Sequence, residues 1–352
     1  MASFYKLPVK TIERLTNKSI SITFTVPDNL KEAFAFKAGQ YITLKTIIDG
    51  NEVRRDYSLC SSPKSGQLTV AIKEVKGGVF SSYANNKLKE GTILEVALPK
   101  GRFIFEPNDS KTKNIALFAA GSGITPILSI LKCVLEEDVH SKIILVYGNK
   151  NTEETMFLNQ LLELQQQYKE RFSIQFVFSQ QAGEDAIYGR IEKNTVNYII
   201  KNKHKDLVVD AFYICGPEAM IHTVKTVLTE HHINDSKIHF ELFKASKIED
   251  SEKLDTVSNG KTKITVTVDD DTTTFEMSQK QTILEAVLDE NIDAPYSCQG
   301  GVCSSCLAQI KTGEATMRQN TILTKEEVEK GFILTCQAHP KTPTITIDFD
   351  AV

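Results

Sequence analysis

The chain has 352 residues, enough for two or three domains that each bury a core. A formal charge of only −4 argues against a dedicated nucleic-acid binder, and no apolar run reaches the length that inserts in a membrane. Seven cysteines without a secretory leader point to a reducing cytoplasmic setting rather than to disulfides.

Residues 1–110 alternate polar and apolar positions in short runs, at 18–26, 40–44 and 68–73, with turn residues between them. Period two predicts an antiparallel β-barrel. Between the second and third runs lies Arg55-Asp56-Tyr57-Ser58-Leu59-Cys60-Ser61-Ser62, and just after the third lies Lys76-Gly77-Gly78-Val79-Phe80-Ser81.

From 111 to 243 the pattern changes to apolar strands alternating with striped helices: strands at 115–119, 142–147, 172–178 and 211–215, helices ending near 137, 170 and 230. That alternation predicts βαβ units and a mainly parallel sheet, whose ligands gather at the carboxyl ends of its strands. Ala120-Gly121-Ser122-Gly123-Ile124-Thr125-Pro126 falls at such an end and leads into a helix whose free N–H groups can hold a diphosphate. Pro126 fits early in that helix. Cys215-Gly216-Pro217-Glu218 supplies a second glycine turn at a strand end, and the two together favour a dinucleotide site.

Residues 244–261 are polar and weakly periodic and read as a tether. The last module, 262–352, opens with a predicted hairpin (264–268 and 272–276) and an amphipathic helix at 282–288, and closes with a strand at 344–349. Its residues from 263 onward carry 14 Asp plus Glu against 7 Lys plus Arg, while the remainder carries 31 against 34. An acidic module beside a slightly basic body suits electrostatic docking, within the molecule or onto a basic partner.

Within that module Cys298, Cys303, Cys306 and Cys336 are spaced C-x4-C-x2-C with the fourth about thirty residues on. This is the plant-type [2Fe–2S] ligand pattern. Gly300 and Gly301 supply the left-handed dihedrals that a tight ligand loop needs, and short Ser304 and Ser305 leave backbone N–H groups for the sulfurs. Cys336 is expected to close the shell from a separate strand. A structural zinc site is the rival, but zinc knuckles favour paired C-x2-C units and only one is present.

On these motifs the chain resembles, over essentially its whole length, the ferredoxin–NADP reductase superfamily with a ferredoxin domain fused at the C-terminus, and within it the branch that serves phenylacetyl-CoA oxygenases (epoxidases). The resemblance implies a multidomain fold: a flavin-binding antiparallel barrel, a parallel-sheet nicotinamide-binding α/β domain, and a β-grasp [2Fe–2S] domain. It also implies an NAD(P)H-dependent flavin iron–sulfur oxidoreductase that delivers electrons to an oxygenase component. Another oxygenase or a desaturase is the alternative acceptor, and a docking protein without turnover is the non-enzymatic reading.

By the same resemblance Arg55 grips a flavin phosphate, Tyr57 stacks on the ring, and Ser58 donates to its redox-active edge. Gly77, Gly78, Val79 and Ser81 form the pyrophosphate turn, and Gly121, Ser122, Gly123, Thr125, Pro126, Gly216 and Pro217 the nicotinamide module. Cys215 lies near the hydride-donating carbon, Glu218 orients it or the carboxamide, and Phe243 covers the second flavin face. A Gly-Gly turn opening a real helix, without the arginine of FMN relatives, favours FAD over FMN. NADPH-preferring relatives carry Ser-Arg where this chain has Ser179-Gln180-Gln181, which favours NADH unless Lys150, Lys203 or Lys205 compensates.

Overall fold

The computed structural model describes residues 4–107, 114–138, 140–183, 185–243 and 260–352. Two compact units are present, one spanning Tyr5–Phe243 and one holding the C-terminal residues to Val352. The expected tether at 244–261 and the expected boundary at 110–111 lie almost wholly outside the described residues.

The first unit begins with strands β1 (Phe4–Thr16), β2 (Ser19–Phe24), β3 (Tyr41–Ile48), β4 (Asn51–Ser58) and β5 (Leu68–Lys73), helix α1 (Val79–Asn86) and strand β6 (Ile93–Ala97). The sheet runs β4-β3-β6-β1-β2-β5, and a bridge from Leu59 to Val70 brings its two edges together as a barrel. Alternate residues point inward: Leu7, Val9, Ile20, Ile22, Ile42, Leu44, Val70, Ile72, Leu94 and Val96 form one core with Phe80 and Ala84 of α1.

Next come β7 (Ile115–Ala120), α2 (Ile124–Glu137), β8 (Ile143–Asn149), α3 (Leu158–Gln167), β9 (Phe172–Phe178), β10 (Ala186–Tyr188), α4 (Lys193–Asn197), β11 (Ala211–Cys215), α5 (Glu218–Glu230) and β12 (Ile238–Glu241). All six strands are parallel, in the order β10-β9-β8-β7-β11-β12. The chain winds outward from β7 in one direction and then from β11 in the other. The switch point therefore lies between β7 and β11, where open α/β sheets bind ligands. Barrel residues Ala38, Cys60, Ala71, Phe103 and Phe105 share one hydrophobic core with this sheet and α2.

The expected helix at 153–170 is shorter. Asn151 Oδ1 accepts from the Glu154 N–H (2.9 Å), Thr155 Oγ1 donates to Asn151 O (2.7 Å), and Phe157 turns left-handed (φ 60°), so α3 starts only at Leu158. Local side-chain bonds outcompete the helix there.

The second unit contains β13 (Lys261–Val268), β14 (Asp271–Ser278), α6 (Ile283–Asp289), β15 (Leu307–Thr312), β16 (Ala315–Met317), α7 (Lys325–Glu329), β17 (Phe332–Leu334), β18 (Ala338–Pro340) and β19 (Thr344–Asp348). Asp269 and Asp270, both at positive φ, make the two-residue loop of the β13–β14 hairpin. Thr282 and Glu285 close a reciprocal capping box on α6. The mixed sheet, β14-β13-β19-β15-β17, pairs β13 with β19 in parallel, and α6 buries Ile283 and Val287 against Ile264, Val266, Ile345 and Ile347. Among the described residues no helix is long and apolar enough to cross a membrane.

Candidate functional site

On the barrel, strand β4 carries Arg55 exposed, Tyr57 half-buried and Ser58 buried. Arg55 Nη1 donates to Arg54 O at 2.6 Å, which steadies the guanidinium at the surface. The Tyr57 ring lies 5.5 Å from that of Phe80, and burial lifts its hydroxyl well above the usual pKa. Gly77 takes φ 75° and a Cβ there would meet nothing within 4 Å, so the backbone is open to close approach. Gly78 is confined: its Cβ would lie 2.5 Å from Ser81 Oγ and 3.1 Å from Val75 O. Ser81 is buried and its hydroxyl accepts from the Val75 N–H at 3.1 Å, so it holds the turn together. Half-exposed Val79 then opens α1 as a real helix. A glycine turn open to close backbone approach and an exposed arginine on β4 suit a flavin diphosphate.

At the switch point the two glycine turns touch. Gly121 takes φ 56°, and its carbonyl accepts from Tyr147 Oη at 3.0 Å. A Cβ on Gly123 would collide with the Cys215 carbonyl, and one on Gly216 would lie 2.7 Å from Met220 Cε and 3.2 Å from Ala120 Cβ. Thr125 Oγ1 donates to Ser122 O at 3.0 Å, and Pro126 is buried in the first turn of α2. Pro217 caps α5 and half-buried Glu218 opens it. Ser179 lies past β9, its N–H donating to Asn149 O at 3.0 Å. From there an open groove of about 860 Å³ runs past Tyr188, Arg190, Tyr198 and Lys203. Lys203 Nζ donates to Gln175 Oε1 (2.7 Å) and Lys150 pairs with Glu154 (3.3 Å).

Barrel and sheet meet at one acid that no sequence motif marked. Ser58 Oγ donates to Glu241 Oε2 at 3.1 Å, and Glu241 is the β12 residue paired in register with Cys215. Burial pushes the Glu241 carboxyl up to about 8 against the opposing bond from Ser58, with Asp56 adding to the rise. Cys215 is fully buried, and burial first, then the charge of Glu241, holds its thiol well above the usual range. It stays protonated and small. The acid facing Cys215 is thus Glu241, across the ladder, whereas Glu218 follows it along the chain. Phe243, two residues past Glu241, is 40 % exposed and available to cover a ring. The signal that could have found Glu241 is a lone carboxylate inside an apolar strand, where a charge is costly.

In the second unit the four expected ligands come together in the loop between α6 and β15 and in the turn after β17. They form two pairs: the Cys303 thiol hydrogen-bonds Cys298, and Cys306 pairs with Cys336. The bond from Cys303 pulls Cys298 down to about 6 against burial, with the Gly300, Val302 and Cys303 N–H groups assisting. Cys336 is likewise lowered, first by Cys306, while Cys306 is raised by the same bond. Two thiol pairs ringed by N–H donors fit a two-iron centre.

Two details of the loop differ from expectation. Left-handed φ values fall on Gln299 (51°) and Gly301 (71°), not on Gly300, and Cys336 lies in a turn rather than in a strand. Thr335 Oγ1 donates to Cys306 O at 2.9 Å, and Gln337 Nε2 reaches Gln299 O and Cys336 O at 3.0 Å each, so the turn is laced to the loop.

Comparison with known proteins covers all three regions. The Oxidoreductase FAD-binding domain family matches residues 6–105, the Oxidoreductase NAD-binding domain 117–226, and the 2Fe-2S iron-sulfur cluster binding domain 266–341. The chain is 36 % identical to a component of the 1,2-phenylacetyl-CoA epoxidase of Escherichia coli (strain K12), over 100 % of this chain and 99 % of that protein. It is 31 % identical to the ferredoxin reductase component of 3-ketosteroid-9-alpha-monooxygenase from Rhodococcus rhodochrous, covering 97 % and 96 %. The structure of phthalate dioxygenase reductase superposes with a TM-score of 0.61 at 25 % identity, covering 98 % of each chain. With all three domains matched and relatives aligned end to end, the chain belongs to the ferredoxin–NADP reductase superfamily, among the flavin and [2Fe–2S] oxidoreductases that include oxygenase reductase components.

Proposed function

We propose that this chain draws electrons from NADH and supplies them, through FAD and one [2Fe–2S] cluster, to an oxygenase component acting on an aryl-CoA thioester such as phenylacetyl-CoA. The observation that carries the hydride chemistry is the Ser58–Glu241 bond at 3.1 Å, beside Cys215. It is where a flavin held by β4 and α1 can meet a nicotinamide held between β7 and β11. The acceptor is argued from the full-length likeness to the epoxidase component.

Arg55, Gly77 and Gly78 would hold the FAD diphosphate and Tyr57 its ring; Gly121, Gly123 and Gly216 would admit the nicotinamide nucleotide; the four cysteines would ligate the cluster. When bound, the flavin takes a two-electron hydride and releases electrons singly to iron, which the nicotinamide cannot do. Glu241, whose carboxyl is pushed up to about 8, and Ser58 Oγ can together hold a proton at the barrel–sheet junction. Cys215 contributes a small buried wall, and Phe243 excludes water until the nicotinamide displaces it. Residues 1–110, 111–243 and 262–352 would act as the flavin, nicotinamide and cluster domains, with 244–261 as tether.

For the coenzyme, Gln180 offers no charge to a 2′-phosphate, and Lys150 and Lys203 already have partners. Among the described residues that line the groove, Arg190 is the other cation. Anaerobic reduction of purified protein by each coenzyme tests this: kcat/KM for NADH is expected to exceed that for NADPH at least tenfold. An NADPH preference that vanishes in Arg190→Ala would refute the assignment.

A further inference from the structure

We propose that Lys132, backed by Ser129 and Glu136, is a positioning residue: it locks α2 as the spacer that sets the nicotinamide turns against the flavin strand. This inference rests on the hydride-transfer reading above. Residues 129, 132 and 136 share one face of α2, and all three engage the loop that leaves β4. Ser129 Oγ donates to Ser61 O at 2.7 Å, Lys132 Nζ donates to Cys60 O at 3.2 Å, and Ser62 Oγ donates to the Glu136 carboxylate. That loop begins directly after Ser58, the residue that reaches Glu241. At its other end α2 grows out of Gly121–Gly123, and Gly123 packs on the Cys215 carbonyl with no room for a Cβ. One stiff element is thus pinned to the nicotinamide turns at its start and to the flavin strand along its length.

Most of the rest of α2 is apolar: Ile124, Ile127, Leu128, Ile130, Leu131, Val134 and Leu135 are all buried. Apolar contacts alone are non-directional, and a helix held only by them can slide. A charge-assisted donor aimed at one carbonyl fixes register. Burial of Lys132 works against its charge, while the neighbouring Cys60 and Glu136 favour it. A methionine would lie in the same groove without desolvating a charge, which offsets the loss of the bond to the Cys60 carbonyl, so stability gives little net reason for lysine. Geometry does, because a misplacement of about 1 Å at a reacting centre can cost about 10²-fold in rate.

The test is stopped-flow flavin reduction in holoprotein carrying Lys132→Met. FAD content, melting temperature and the dissociation constant for NAD+ are expected to match wild type. The reduction rate constant at saturating NADH is expected to fall about tenfold, and the long-wavelength charge-transfer absorbance of the reduced protein with NAD+ to weaken. Ser129→Ala, which removes one hydrogen bond and keeps the helix, is expected to slow the step about threefold. A merely structural role would release FAD or lower the melting temperature while leaving the rate per bound flavin unchanged. That pattern, or wild-type rates and absorbance in Ser129→Ala, overturns the proposal. If neither coenzyme reduces even the wild-type flavin, the hydride reading falls and takes this inference with it.

Discussion

The carboxyl of Glu241, ordinarily at 4.5, stands at about 8 in the fold because burial removes the water that would solvate its charge. The sign of its effect on stability follows from proton counting. Between those two values the folded chain holds a proton that the unfolded chain has released, so stability falls as pH rises from about 4.5 to about 8. The penalty is absent below that window and complete above it. Glu241→Gln removes the ionisation and nearly keeps the shape. It is expected to raise the melting temperature by a few degrees at pH 9, with the difference vanishing near pH 4, as differential scanning fluorimetry would read. An equal shift at both pH values would show that the carboxyl is not the titrating group.

At the scale of elements, the cluster loop shows how a glycine is chosen by conformation rather than by motif. Gly301 has φ 71°, and a Cβ there would lie 2.9 Å from Gln337 Cγ, the side chain that laces the Cys336 turn to the loop. Gly300 has an ordinary φ, and its nearest atom to a built Cβ is Cys298 O at 3.7 Å. Gly301→Ala therefore faces about 1–2 kcal/mol of backbone strain plus a collision, whereas Gly300→Ala faces neither. Iron and acid-labile sulfide per chain are expected to drop at least twofold in Gly301→Ala and to hold in Gly300→Ala. The sequence marked both glycines alike, because a Gly-Gly pair does not say which member turns left-handed. Similarly, the period in 153–170 could not reveal that Asn151 would capture Glu154 and Thr155 and delay α3.

Across the whole molecule the two compact units divide the labour. The barrel and the parallel sheet share one hydrophobic core, so the proposed hydride chemistry would belong to a single body. The four proposed cluster ligands all lie in the other. Cys303→Ala is therefore expected to abolish cluster assembly, read as loss of the visible bands of the iron–sulfur centre. NADH-driven reduction of a flavin-level acceptor such as ferricyanide should stay within about twofold of wild type, since no group within Tyr5–Phe243 is touched. Parallel loss of both activities would contradict that division.

What the chain determined by itself is what adjacent residues can encode. Cysteine spacing matched the plant-type cluster pattern, Arg55-Asp56-Tyr57-Ser58 and the glycine turns supplied the candidate nucleotide sites, and the change from period two to alternating strands and helices separated barrel from sheet. Tertiary structure decided what depends on residues distant in the chain. Ser58 meets Glu241 across 183 positions and Ser61 meets Ser129 across 68, and no local pattern records either. The raised carboxyl of Glu241 has the same origin, since the neighbours that shield it from water are set by the assembled fold and not by the strand that carries the acid.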